Sequence, residues 1–254
     1  MTIRNEKDLA ALREGGKRLA TILNALEKSV APGVSTDELD KLARRLIEEN
    51  GDTPAFLHYT PEGADRPYPA SLCVSINDEV VHGIPNEIPS VLREGDIVAL
   101  DLGLIHEGLI VDAALTVPVG KIDGTAKKLI DTTRNALAAG VDAARAGATV
   151  GDIGAAVEAV AKKGKFGIPR ELGGHGVGLK VHEKPYIPNY GKKGTGEKLK
   201  AGMVIAIEPM LNEGSGEIRM DNDGYTIRTA DSSRSAHFEH TILITEGEPE
   251  ILTK

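Results

Sequence analysis

Three segments of this chain recur, in the same order, further along it. Ser75-Ile76-Asn77-Asp78-Glu79-Val80-Val81-His82-Gly83-Ile84-Pro85 lines up with His175-Gly176-Val177-Gly178-Leu179-Lys180-Val181-His182-Glu183-Lys184-Pro185, and both end in His-x-x-Pro. Gly95-Asp96-Ile97-Val98-Ala99-Leu100-Asp101 lines up with Gly202-Met203-Val204-Ile205-Ala206-Ile207-Glu208, and Gly33-Val34-Ser35 with Gly147-Ala148-Thr149. One such match arises readily by chance. Three in one order point to a duplicated unit, which restricts the chain to folds with an internal pseudo-twofold. The expected organisation is one domain, residues 1–254, of two related halves at about 1–121 and 122–254, with no linker between them.

Each half reads as a helix pair followed by strands. Leu9, Leu12, Leu19, Ile22, Leu23 and Leu26 recur at three- and four-residue steps and predict an amphipathic helix from Glu6 to about Val30, ended by Pro32-Gly33. Ser35 and Glu38 form a capping box for a second helix running toward Asn50-Gly51. Residues 60–69 read as a surface loop. Strand-like runs follow at 72–76, 80–81, 97–105 and 109–117, then a second helix pair over 126–163 broken near Ala146-Gly147, then short strands and Gly-rich turns. The class is mixed α/β.

The informative residues are acids inside apolar strands, where Asp is normally depleted. Asp101 interrupts Ile97-Val98-Ala99-Leu100-Asp101-Leu102-Gly103-Leu104-Ile105, and Asp112 interrupts the returning Leu109-Ile110-Val111-Asp112-Ala113-Ala114-Leu115. A hairpin centred between residues 106 and 107 sets the two directly opposite each other. Like charges so placed repel, and a divalent cation with hard oxygen ligands answers the repulsion. The second half repeats the oddity with Glu208, after Val204-Ile205-Ala206-Ile207, and Glu239, opening an apolar run. His175, flanked by glycines in Gly174-His175-Gly176, offers a nitrogen ligand. Four carboxylates and one imidazole exceed the needs of one small ion and suit two that share ligands. By contrast His58, His106 and His237 read as surface or structural residues, Asp78-Glu79 as a turn and solvated face, and Cys73 as a buried apolar residue.

Composition narrows the partners. Asp and Glu number 38 against 30 Lys and Arg, and a net charge of −8 gives no general attraction for nucleic acid or anionic membranes. A single cysteine excludes an intrachain disulfide. The opening residues lack the order of a signal peptide, and no apolar run approaches the roughly 20 residues of a membrane span. A cytoplasmic protein is expected.

The segment Ser71 to Pro85 resembles the substrate-histidine segment of type I methionine aminopeptidases. The family's other motifs follow in order: the Asp101 and Asp112 hairpin, Gly174-His175-Gly176, His182-Glu183-Lys184-Pro185, Ile207-Glu208-Pro209-Met210 and Ser235-Ala236-His237-Phe238-Glu239-His240-Thr241. The resemblance spans residues 3–252. It implies the pita-bread fold, a pseudo-twofold arrangement of helix pairs and antiparallel strands around a dinuclear metal site. It also implies Asp101, Asp112, His175, Glu208 and Glu239 as ligands of two divalent ions (Fe(II), Mn(II), Co(II) or Zn(II)), with Asp112 and Glu239 bridging. Glu208 would relay a proton, His82 would contact the substrate near its amino end, and His182 would polarise the scissile carbonyl. The implied activity is removal of the first methionine from nascent polypeptides with a small second residue, by a monomer, with the ribosome as a candidate partner.

Departures from the family pattern fall in the methionine pocket. Val181 stands where an aromatic residue is usual, Tyr225 where Trp is common and Phe56 where Cys is frequent, and the loop from Thr60 to Arg66 is longer. Tyr59 and Tyr68, with Tyr225, are the expected aromatic walls. The alternatives are a proline-specific, prolidase-like metallopeptidase and a non-catalytic, ribosome-associated binding protein. The second should have lost ligands, and all five are present.

Overall fold

The computed structural model describes residues 1–3, 5–61 and 63–254, so Arg4 of the opening segment and Glu62 of the expected 60–69 loop lie outside the described residues. The chain begins with helices α1 (Glu6–Ser29) and α2 (Thr36–Glu49). Strands β1 (Thr53–Pro54), β2 (Leu72–Ile76), β3 (Glu79–Val81), β4 (Ile97–His106) and β5 (Leu109–Pro118) follow. A second helix pair, α3 (Gly124–Ala143) and α4 (Val150–Gly164), precedes β6 (Gly173–Gly176), β7 (Glu183–Pro188), β8 (Val204–Ile207) and β9 (Met210–Asn212). The remaining strands are β10 (Ile218–Met220), β11 (Ile227–Thr229), β12 (Ser235–His237), β13 (Glu239–Leu243) and β14 (Glu250–Ile251).

The segments that match in sequence share local structure. Gly33 and Gly147 turn the chain between the helices of each pair at positive φ, 94° and 88°. Ser35 and Glu38 then form the capping box of α2, and Thr149 and Asp152 that of α4. Both cap residues bridge a later segment, Ser35 to Val91 and Thr149 to Lys198.

Among the described residues nine strands make the main sheet, in the order β1-β4-β5-β13-β8-β6-β7, with β2 also paired to β4 and β14 to β13. Strands β5 and β13, one from each half, meet at its centre. One face carries Leu100, Leu102, Leu104 and Val111 toward α1, and Ile205, Ile207 and Ile242 toward α3 and α4, in two separate buried clusters. Glycines let the helices close on it: a Cβ on Gly15 would lie 3.5 Å from Val111, and one on Gly140 3.1 Å from Ile207. Each such Leu or Ile contributes about 1.5–3 kcal/mol of hydrophobic stabilisation. Strand alternation then turns Asp101, Asp112 and Glu239 to the opposite face, away from the helices. Ala55 and Phe56 lie over Gly103 on that face. Among the described residues no helix is long and apolar enough to cross a membrane.

Candidate functional site

The β4–β5 hairpin corrects one expectation. Asp101 pairs with Ala114, and Asp112 with Gly103, so the two acids are diagonal neighbours and not directly opposed. The turn is Glu107-Gly108, with φ of 48° and 81°, and His106 pairs with Leu109. Two residues at positive φ make a type I′ turn whose twist suits a hairpin, and it moves the centre one residue beyond the one expected. Diagonal partners still share a face and lie about 7–8 Å apart at Cα. The repulsion survives the correction.

Register carries the arrangement across the seam. Ala114 pairs with Asp101 on one side and with Glu239 on the other. Glu208 lies between the pairs Ile207–His240 and Met210–His237, which puts it opposite Glu239. One row across the sheet is therefore Asp101, Ala114, Glu239 and Glu208. In the neighbouring row Asp112 meets Thr241, whose hydroxyl donates to the Asp112 carbonyl (2.7 Å) and accepts from its N–H (2.9 Å). Ala206 pairs with Thr241 and with His175, completing that row. All five expected ligands are thus brought to one face.

These groups suit a cation and little else. Asp112, His175 and Glu239 offer ligand atoms within 4.8 Å of one another. Asp101 Oδ1, Asp112 Oδ1 and Glu239 Oε1 are buried without hydrogen-bond partners. Burial, reinforced for Asp101, Asp112 and Glu239 by neighbouring carboxylates, pushes all four acids above the usual range. His175 Nδ1 lies 3.0 Å from the Gly176 carbonyl, an acceptor, so Nδ1 carries the proton. Its unprotonated Nε2 then points at Glu208 Oε1 (3.3 Å) and Glu239 Oε1 (4.0 Å). Burial, with the nearby His182, holds the His175 pKa down at about 3, so the ring does not supply the missing charge. A nitrogen lone pair facing two carboxylates, its other nitrogen tied to a carbonyl, is the orientation of a metal-ligating histidine. The donor set fits divalent metal.

A cavity of about 110 Å³ opens beside this face, lined by Phe56, Tyr59, Tyr68, Val181, Tyr225 and the two histidines His82 and His182, among others. His82 has φ 60°, a left-handed backbone unusual outside glycine. The next residue must be glycine, since a Cβ on Gly83 would lie 2.2 Å from the Val74 carbonyl. Burial, first among the causes, lowers the His82 pKa to about 4. Tyr59 and His182 approach at 3.2 Å, hydroxyl to Nδ1, and His182 meets His175 edge-on with centroids 4.6 Å apart. Tyr68 donates to the Gly83 carbonyl (2.8 Å) and packs edge-on against Tyr225, which bonds to the Arg66 carbonyl.

Two residue readings change. Asp78 lies in the turn while Glu79 opens β3, and the pair is not a solvated face, because they clamp Arg228 at 2.8 and 2.7 Å. His237 is not a surface residue: it is 1% exposed, with Nε2 3.4 Å from Glu208 Oε2. The signal available in the sequence was its spacing, two residues before Glu239.

Residues 10–246 match the profile of metallopeptidase family M24. The chain is 45% identical to a methionine aminopeptidase of Aquifex aeolicus, covering 98% of this chain and 97% of that one. The crystal structure of a methionine aminopeptidase from Rickettsia prowazekii superposes with a TM-score of 0.94 at 40% identity, covering 100% of both chains. A prolidase from Pyrococcus horikoshii OT3 superposes with a TM-score of 0.75 at 23% identity, and this chain covers 63% of it. That second likeness is one of fold. The architecture is the pita-bread α/β fold expected from the sequence.

Proposed function

The chain belongs to metallopeptidase family M24, and we propose that it is a methionine aminopeptidase, hydrolysing the first peptide bond of chains that begin with methionine and a small second residue. The observation that carries this reading is one cavity shared by an aromatic wall and by Asp101, Asp112, His175, Glu208 and Glu239. Those five residues would hold two divalent ions. When bound, such ions lower the pKa of a water and polarise a carbonyl.

The chain's own groups supply the rest. The Glu208 carboxylate, with Oε1 facing His175 Nε2 at 3.3 Å, is placed to take a proton from the attacking water and return it to the leaving amine. The Tyr59 hydroxyl lies 3.2 Å from His182 Nδ1, and with the phenol as donor the His182 proton would sit on Nε2. His182 is then a donor for the carbonyl oxygen as it gains charge. His82, held in its left-handed conformation, would meet the substrate near its amino end. Phe56, Tyr59, Tyr68, Val181 and Tyr225 would enclose the methionine side chain.

The same reading makes residues 1–254 one catalytic domain, since both halves contribute ligands. It makes the substrates the N-termini of nascent polypeptides in the cytoplasm, met by a monomer at the ribosome. The proline-specific alternative has only the 23% fold likeness behind it. The test is metal analysis of the purified protein with a Met-Ala-Ser cleavage assay. Chelation should abolish cleavage and Mn(II), Co(II), Fe(II) or Zn(II) should restore it. Full activity in metal-free protein, or none with any of these metals, would overturn the reading.

A further inference from the structure

Among the described residues, His237 is the histidine whose two ring nitrogens are both buried and both without a hydrogen-bond partner. The residue is 1% exposed and its backbone is pinned. The Thr116 hydroxyl accepts from the His237 N–H (2.9 Å) and donates to its carbonyl (2.8 Å), and β12 pairs His237 with Met210 of β9. A position serving packing alone would be cheaper with an apolar side chain, since a buried polar atom without a partner is costly. What the ring faces is Glu208. Nε2 lies 3.4 Å from Oε2, while the other oxygen, Oε1, faces His175 Nε2 at 3.3 Å. The Glu208 carboxylate is therefore held between two imidazoles, one on each oxygen.

We propose that His237 is a positioning residue for Glu208: its Nε2–H donates to Oε2 and fixes the plane of the carboxylate, so that Oε1 is presented to the metal side of the site. The 3.4 Å separation is a few tenths of an ångström beyond an ordinary N–H···O bond, and such contacts shorten when the acceptor is charged. The neighbouring constraint agrees. Asn189 donates to the Glu208 backbone carbonyl (3.0 Å), so the main chain of this residue is fixed and only its carboxylate needs a partner. This inference deepens the aminopeptidase reading, and only its kinetic arm rests on that reading.

The test compares His237→Leu with His237→Gln in the full chain, the glutamine amide being able to stand where Nε2 stands. Calorimetric titration of the chelated protein with Mn(II) should show affinity lowered about 10- to 100-fold in the leucine variant, as for other outer partners of metal ligands. It should recover most of the way in the glutamine variant. With Met-Ala-Ser, kcat should fall in the same order while KM stays near the parent value. Unchanged Mn(II) affinity in a folded leucine variant, or a glutamine variant as weak as leucine, would overturn the proposal. Should the leucine variant fail to fold, nitrogen-15 spectra of the parent decide the matter: protonation at Nε2 is expected, and protonation at Nδ1 refutes it. If the parent binds Mn(II) but cleaves no Met-Ala-Ser, the aminopeptidase reading fails while the affinity comparison still judges His237.

Discussion

Stripped of metal, the protein should lose stability as the pH rises from 6.5 to 8, and Mn(II) or Co(II) should cancel the loss. Burial and mutual repulsion hold Asp101 and Glu239 far above the usual carboxylate range, and Asp112 and Glu208 at about 8. An acid with a raised folded pKa keeps a proton that the unfolded chain has already released. Stability therefore declines with pH between the two values. The buried histidines act in the opposite sense. His82 at about 4, and His175 and His237 at about 3, hold fewer protons folded than unfolded. Their effect raises stability with pH only up to the unfolded value near 6.5 and is flat beyond it. In the window from 6.5 to 8 the carboxylates dominate.

Each proton kept by the fold and lost on unfolding tilts stability by about 1.4 kcal/mol per pH unit. Because the four acids titrate together, one retained proton is the conservative count. Across the window that amounts to about 2 kcal/mol, or roughly 4–8 °C in melting temperature at this chain length. Metal at a hundred times its dissociation constant adds about 2.7 kcal/mol and displaces the same protons. The assay is thermal melting of chelated protein at constant ionic strength across the window, with and without Mn(II). Calorimetry in two buffers of different ionisation heat counts the protons released. A metal-free melting temperature that is flat or climbs, or metal uptake that releases no proton, would refute the electrostatic reasoning.

Glu208→Gln should keep the fold but lower turnover at least about a hundredfold, as loss of a general base does; a near-normal rate would place the proton transfer on another group. Tyr59→Phe keeps the ring in the cavity wall and deletes the hydroxyl beside His182, so kcat on Met-Ala-Ser should drop about fivefold, the worth of one ordinary hydrogen bond, with little change in KM. Val181→Phe alone should overfill a cavity that Phe56 already lines and impair cleavage. Combined with Phe56→Cys it should sharpen the preference for methionine over norleucine by roughly two- to tenfold, the range of a sulfur–aromatic contact. A ratio of kcat/KM unchanged in the double variant would assign selectivity to Tyr59, Tyr68 and Tyr225.

What could be read in advance was whatever local chemistry announces. The capping box of Ser35 and Glu38, the break between α3 and α4, and the extent of β2, β4 and β5 all follow from short-range patterns, and the structure bears them out to within a few residues. The hairpin register did not follow. Glu107-Gly108 is an uncommon pair for a turn that needs two left-handed residues, so His106 read as part of the turn although it pairs with Leu109. A shift of one residue at the turn centre displaced the partner of Asp101 from Asp112 to Ala114. The pocket was legible only in outline, because its wall forms where the 56–68 segment, Val181 and Tyr225 converge from distant parts of the chain.

The ligand acids stood out for a reason that the missed histidine does not share. An acid in an apolar strand contradicts its surroundings, and a sequence tolerates such contradictions where function requires them. Asp101, Asp112, Glu208 and Glu239 each carry that contradiction alone. His237 carries none until Glu208 is brought beside it, since an imidazole near the mouth of a strand is unremarkable and the pairing depends on how β9 and β12 meet. The same pairing explains why the duplication matters to the chemistry. Each half delivers acids on antiparallel strands, and the β5–β13 junction aligns Asp101 with Glu239 through Ala114 and Asp112 with Thr241. Neither half alone assembles the donor set that His175 faces. The repulsion among those acids, which would burden a metal-free fold, is thereby confined to the seam where a cation can reach all of them.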